Sequence, residues 1–318
     1  MDQETNDNLS WRSLSTAISK DETPEETLSK SNADYEVFLT PVLVWDHVQD
    51  DIVPVKNRFV TGRDNPNGNQ TDNWEVVKER YEVVQNKDVL KRAATIVERS
   101  SGKAKLHSCG VLDEGRKFFV AISFGAMEMQ LPNDSVEHID HYLIVISSHD
   151  ATMPICYYNL DVRRRNNAVY RISSDVQEFD LRKRHTTNLK DSGVEASEAL
   201  QLRAGWTEAI QDAIRSLQLP VSTSLKEKVL NIVVSKDKAN TKKKRDYANS
   251  VHDEIDELFL KPHNSGLFGK SRWALYNAIV EYIDFHRNIP PEEAAQHALE
   301  IDNYSHRLKL QVFNALIP

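Results

Sequence analysis

The period of the apolar residues changes once along this 318-residue chain, and that change constrains the fold more than any motif does. From Tyr35 to Ile172 apolar side chains come in short runs or alternations rich in Val, Ile, Tyr and Phe, the pattern of strands that bury one or both faces. Further on, Ala196, Leu200, Ala204, Ala209, Ile210, Ile214 and Leu217 recur at helical spacing up to Pro220. Strands first and helices afterwards predict an α+β fold: an antiparallel sheet packed against a long helix, followed by a helical C-terminal region.

Within that frame, residues 1–33 are polar and acidic, and read as a mobile N-terminal arm with a short helix from Pro24 to Ser31. Thr23 is placed to cap that helix, with Glu26 three residues on as in a capping box. Residues 34–220 form the expected α+β core. Strands are expected at Tyr35–Trp45, Leu106–Leu112, Arg116–Phe124, His141–Ser148, Ile155–Val162 and Ala168–Ile172. Phe59–Thr61 and Trp74–Lys78 are expected to flank a long loop, and a helix is expected from Asn86 to Ser100. Residues 221–318 read as three or four helices, at 224–234, 246–260, 269–287 and 291–316, with a Lys-rich linker at 235–245. Trp273, Tyr276, Ile279, Val280 and Ile283 form an apolar face of the third, with Asn277, Glu281 and Asp284 on its more polar side.

Charge is uneven. The chain carries a net charge of −8, but residues 1–52 hold 12 Asp/Glu against 3 Lys/Arg, leaving the rest near neutral. Inside that remainder, residues 161–184 hold seven Arg/Lys against four acids. No apolar run is long enough to cross a bilayer and no signal peptide opens the chain, so a cytoplasmic protein without a membrane partner is expected. Cys109 and Cys156 fit reduced, buried thiols better than a disulfide.

Phosphate-loop, Rossmann, nucleophile-elbow and zinc-protease motifs are missing, and the sequence suggests neither a cofactor nor an assigned metal site. His107 and Cys109 lie two apart on an expected strand, which places both on one face and reads as packing more readily than as a dyad. His149-Asp150, directly after an apolar strand, reads either as a catalytic pair of a metal-dependent hydrolase or nuclease or as a turn whose Asp caps the backbone. A metal would need further ligands, for which His107, His138, His141 and His185 are available. The strongest chemical clue is the basic cluster Arg163, Arg164, Arg165, Arg171, Arg182, Lys183, Arg184 and His185, interleaved with Tyr157, Tyr158, Tyr170 and Phe179. Guanidinium groups track phosphates and aromatic rings stack on bases, the combination of single-strand nucleic-acid binders. The same arginines are also spaced to pair with Asp161, Asp175, Glu178 and Asp180.

Several short segments recur in order: Leu9-Ser-Trp11, Tyr81-Glu-Val-Val-Gln-Asn86, Gly110 to Gly115, His149-Asp150, Arg163, Asn167, His185-Thr186, Trp273 and Asn277-Ala-Ile-Val-Glu-Tyr282. On these the chain resembles the phage/plasmid-like proteins of the domain-of-unknown-function family 932. It departs from the family pattern at Ala151, where glycine is common, and at Arg165 and Asn166, where a cysteine is usual. The resemblance implies a mobile-element origin and no assigned activity. The order of elements is also similar to the β-β-β-α core of phage single-strand annealing proteins, which assemble as rings or filaments and hold one DNA strand by its phosphates. That likeness implies single-stranded DNA as partner, a homo-oligomer, backbone contacts from Arg163–Arg165 and Arg182–Arg184, and Tyr170 or Phe179 against sugar or base. Capture of a host factor by the acidic arm is the remaining expectation.

Overall fold

The computed structural model of the protein describes residues 10–65, 68, 70–130, 136–172, 180–185 and 192–318. Strand β1 (Thr16–Ala17) is followed by a small antiparallel sheet of β2 (Phe38–Asp46), β3 (Asp51–Asp64) and β4 (Thr71–Lys78). The main sheet is built from β5 (Lys105–Leu112), β6 (Lys117–Gln130), β7 (Val136–Ser148), β8 (Ile155–Arg163), β9 (Val169–Tyr170) and β10 (Asp180–Lys183). Its order is β1-β5-β6-β7-β8-β10, with β9 also on β8 and every pair antiparallel.

The outer edge of β8 is shared between two short strands. β10 pairs with its first half, Lys183 opposite Ile155 and Asp180 opposite Tyr158, while β9 pairs with its end, Tyr170 opposite Asp161. Among the described residues no strand pairs with Asn159 and Leu160 on that side, so the edge has a gap between its two fillers.

Nine helices, α1 (Pro24–Lys30), α2 (Asn86–Arg99), α3 (Ser192–Ser216), α4 (Thr223–Val233), α5 (Lys242–Leu260), α6 (Ser265–Phe268), α7 (Arg272–Glu281), α8 (Pro291–Leu299) and α9 (Tyr304–Leu316), are present among the described residues. α1 has the expected capping box: Thr23 Oγ1 accepts from the Glu26 amide, and Glu26 accepts from the Thr23 amide. One face of the main sheet is covered by α2 and α3, through Val89, Leu90, Ala93, Ile96, Ala196 and Ala199. Burial of each large side chain in that set stabilises the fold by roughly 1.5–3 kcal/mol. The other face is covered by Trp11, Ala298 and Leu299. With both faces covered, every residue of β8 is buried, which is why its sequence is nearly continuous in apolar residues.

Several expectations are corrected. From Ser10 onward the supposed arm is packed: Trp11 is fully buried, β1 extends the sheet on β5, and Arg12 donates to Asn167 Oδ1 and Tyr142 Oη. Residues 1–9 lie outside the described residues. The strands expected at Phe59–Thr61 and Trp74–Lys78 are longer than expected: β3 starts at Asp51, and Gly62, Arg63 and Asp64 pair with Asn73, Asp72 and Thr71, so strand pairing reaches into both ends of the expected loop. Residue 220 does not separate two cores, since Ile139, Tyr170, Trp206 and Ile210 pack with helices α4 to α7 and α9 in one cluster. The polar side of α7 is buried as well: Asn277 accepts from Tyr170, Glu281 from Asn166, and Asp284 from the Val169 amide, so this stripe docks the β8–β9 turn. A register shift between Leu106 and Ser108 breaks the alternation in β5. Cys109 therefore packs in the α2 face, while the His107 ring lies 5.0 Å from Tyr142 of the other face.

Candidate functional site

At the gap in the β8 edge lies a cleft of about 620 Å³. Tyr158 and Asn159 of β8, Arg171 after β9, Arg182 of β10, Trp206 of α3 and His306 of α9 line it. Among the described residues it lies where the pairing of β9 with β8 has ended at Tyr170 and that of β10 begins at Asp180.

Asn159 is the first polar residue in the apolar run of β8. Its Oδ1 accepts from Arg203 Nη1 at 3.1 Å, and its buried Nδ2 has no partner among the described residues. His306 Nδ1 is likewise buried and unpartnered. Burial, then Arg171 and Lys309, pushes the His306 pKa down to about 3, so the ring is neutral at ordinary pH. Both residues line the cleft, and a buried polar atom without a partner costs stability. Behind Asn159, Asp161 accepts from Trp206 Nε1, pairs with His141 and lies 3.7 Å from Arg203. Burial pushes the Asp161 carboxyl up, but the contacts with His141, Arg203 and the Trp206 N–H outweigh it and hold the pKa below the usual range.

Arg171 is buried and donates to the carbonyls of Ala298 and Leu299 at 2.8 and 3.2 Å, capping the C-terminus of α8 with a cation. It lends the cleft positive potential more than a free hydrogen-bond donor. Arg182 bonds Asp180 at 2.6 Å and Asp302 at 2.7 Å, and Lys183 lies 2.7 Å from Glu198. Arg184 is exposed.

The basic cluster expected from sequence is thus divided. Arg163 stands seven residues from Cys156, the partner of Arg182, so the two arginine runs sit at opposite ends of β8, about 23 Å apart. Arg163 is fully buried and donates to Asn264 Oδ1 at 2.8 Å and Glu137 Oε2 at 3.2 Å. Tyr170 is buried with its hydroxyl on Asn277 at 2.6 Å, and burial raises its pKa well above the phenol value. His185 is buried, stacked on Tyr81, with Nδ1 donating to the Glu82 carbonyl at 3.2 Å. These three and Arg171 are committed to the protein interior, which corrects their assignment as strand contacts. Arg164 and Arg165 reach the surface but pair with Asp140 and Glu137. Asp175, Glu178, Phe179 and Thr186 lie outside the described residues.

His149 and Asp150 follow the turn reading. Asp150 Oδ1 accepts from the Thr152 amide at 3.1 Å and hydroxyl at 2.6 Å, and His149 Nε2 donates to Asn86 Oδ1 at 2.8 Å. Burial pushes the His149 pKa down to about 4. Among the described residues no three His, Cys, Asp or Glu side chains converge on a common point, so the geometry gives the metal-dependent hydrolase no ligand set. Ala151, where glycine was expected, has φ 57°, the left-handed conformation that favours glycine.

A family model described as "Domain of unknown function (DUF932)" matches residues 73–307, from β4 through the cleft to the first turn of α9. The chain belongs to the DUF932 family. Searches of curated proteins and of solved structures matched nothing. All the cleft residues named above fall within the DUF932 match. Of them, sequence reasoning singled out Tyr158, Tyr170, Arg171 and Arg182 but missed Asn159, Trp206 and His306. An amide inside an apolar strand was a usable signal for the first; the helical pair had none, because only the fold brings α3 and α9 to β8.

Proposed function

We propose that this DUF932 protein binds single-stranded DNA without cleaving it, with one base entering the β8 cleft and the neighbouring phosphates on Arg182, Lys183 and Arg184. The observation that carries this reading is the pairing of unsatisfied Asn159 Nδ2 and His306 Nδ1 with the aromatic walls Tyr158 and Trp206, directly beside the basic strand β10. A base offers acceptors to the amide and a flat face to the rings, and a cleft of this size suits a nucleotide-sized group. Arg182 and Lys183 already have carboxylate partners, so phosphates would exchange for Asp180, Asp302 and Glu198, and affinity should fall with salt. Binding without chemistry needs no nucleophile or metal. Strand annealing in the replication or recombination of a phage or plasmid is the role such binding fits, with several copies setting successive clefts along one strand.

Fluorescence anisotropy of labelled single-stranded and duplex oligonucleotides at two salt concentrations tests the proposal. Salt-sensitive preference for single strands, lost in Arg182→Glu/Arg184→Glu, is expected; absence of binding at low salt overturns it.

A further inference from the structure

The β2–β3 hairpin is unlike the rest of the molecule. Beyond the Pro41–Phe59 pair it runs out through Leu43 opposite Pro54, Val44 opposite Val53 and Trp45 opposite Ile52, a reach of about 20 Å. Its side chains are exposed on both faces: Leu43 at 60%, Trp45 at 46%, Ile52 at 57%, and Val48 at the turn at 95%. The tip is ordered by Asp46, whose Oδ1 accepts from the Val48 and Gln49 amides at 2.8 and 3.2 Å. An ordered strand pair with this much apolar surface is a docking element or an aggregation hazard. Three acids, Asp46, Asp50 and Asp51, surround the apolar tip.

Elsewhere on the same chain lies a groove of complementary character. Its volume is about 1130 Å³, and Ile18, Leu90, Ala94, Val97 and Leu106 give it an apolar floor between β1, α2 and β5. Lys20, Lys91 and Lys105 line the same groove, as does Lys87, which is held by Glu36 at 3.0 Å. The two acids there are engaged: Glu22 holds Lys30 at 2.5 Å, and Asp88 accepts from the Gln85 amide at the start of α2. An apolar tip ringed by aspartates thus matches an apolar groove ringed by lysines.

We infer that the hairpin of one copy inserts into the α2–β5 groove of a second copy. Trp45, Val48 and Ile52 enter the apolar floor, and Asp46, Asp50 and Asp51 meet the lysines. Because the two surfaces are different parts of the chain, the contact is either exchanged reciprocally across a two-fold axis, closing a dimer, or repeated head to tail as a ring or filament. One hairpin tip buries less than a standard interface of about 1,600 Å², so assembly depends on protein concentration. The inference is independent of the nucleic-acid reading and is tested without DNA.

Sedimentation velocity over a concentration series, with Trp45→Asp/Ile52→Asp and Lys91→Glu/Lys105→Glu, decides it. All four positions are exposed or at the groove edge, and unchanged thermal unfolding checks that each variant folds. The natural sequence is expected to gain mass with concentration, and each variant to stay at the mass of one chain. Mixing the two variants restores one good hairpin and one good groove per pair, so the mixture is expected to stop at two chains. A natural chain that remains single throughout, a groove variant that assembles undiminished, or a mixture that stays single overturns the inference.

Discussion

The ring of His149 stacks on the indole of Trp74, centroids 5.8 Å apart and planes 19° apart, so the end of β7 is clamped to the small sheet. Its buried Nδ1 has no partner among the described residues, and burial holds its pKa near 4 against about 6.5 in an unfolded chain. Between those values the unfolded chain binds a proton that the native protein refuses. The stability this provides is complete above pH 6.5 and is lost as pH falls toward 4, on the order of 3 kcal/mol. Thermal unfolding across pH 4–7 should decline early, with His306 adding to the slope in the same direction. His149→Gln, which keeps a donor for Asn86, should flatten that decline; an unaltered profile would show that His149 does not titrate this way.

If Arg182, Lys183 and Arg184 are the phosphate contacts, three counterions leave on binding. A plot of log affinity against log salt should then have a slope of about −2 for single-stranded DNA. Arg182→Glu/Arg184→Glu should bring it close to zero. The Arg164→Glu/Arg165→Glu variant, altered at the far end of β8, should leave the slope as it is; a reversed result would move the strand path to the other end.

Asn159→Asp replaces the unpartnered Nδ2 with an acceptor of nearly the same shape while keeping an oxygen for Arg203. Affinity for oligonucleotides should drop several-fold with the salt slope preserved, and abasic oligonucleotides should bind both forms equally. Equal loss on abasic strands would mean that no base enters the cleft.

Arg163→Met should lower stability by up to about 3–5 kcal/mol, because buried Glu137 then keeps only the longer contact with Arg165 at 3.6 Å and Asn264 loses its donor. Chemical denaturation measures this directly. A neutral result would contradict the structural role given to Arg163.

Lys309 is buried against Asp284 at 2.5 Å and also donates to the Val169 carbonyl at 2.8 Å. Burial pushes its pKa down to about 8, so above that pH the native state sheds a proton that the unfolded chain keeps to about 10.4. This group therefore makes the protein more stable as pH rises from 8. Lys309→Met should remove that limb and cost stability at pH 7, and Asp284→Asn in the same chain should recover part of the loss. Additive single and double variants would refute the coupling.

How far the sequence speaks differs by level. The Thr23–Glu26 cap of α1, the α2 face of Val89, Leu90, Ala93 and Ile96, and the apolar run of β8 all depend on neighbours within a few residues, and each was legible. The bulge in β5 and the start of β3 were not, because register depends on the strand opposite. Which arginines meet solvent was least legible. Arg163 is claimed by Asn264 and Arg171 by the end of α8, both more than 100 residues away, and a charge is buried only where such distant acceptors compensate its desolvation. The sequence alone determined that strands precede helices, where helices begin, and that basic and aromatic residues are concentrated between residues 157 and 185. The tertiary structure alone decided which of those residues are interior fasteners and which line a cleft, because that choice rests on packing between segments that no local pattern connects.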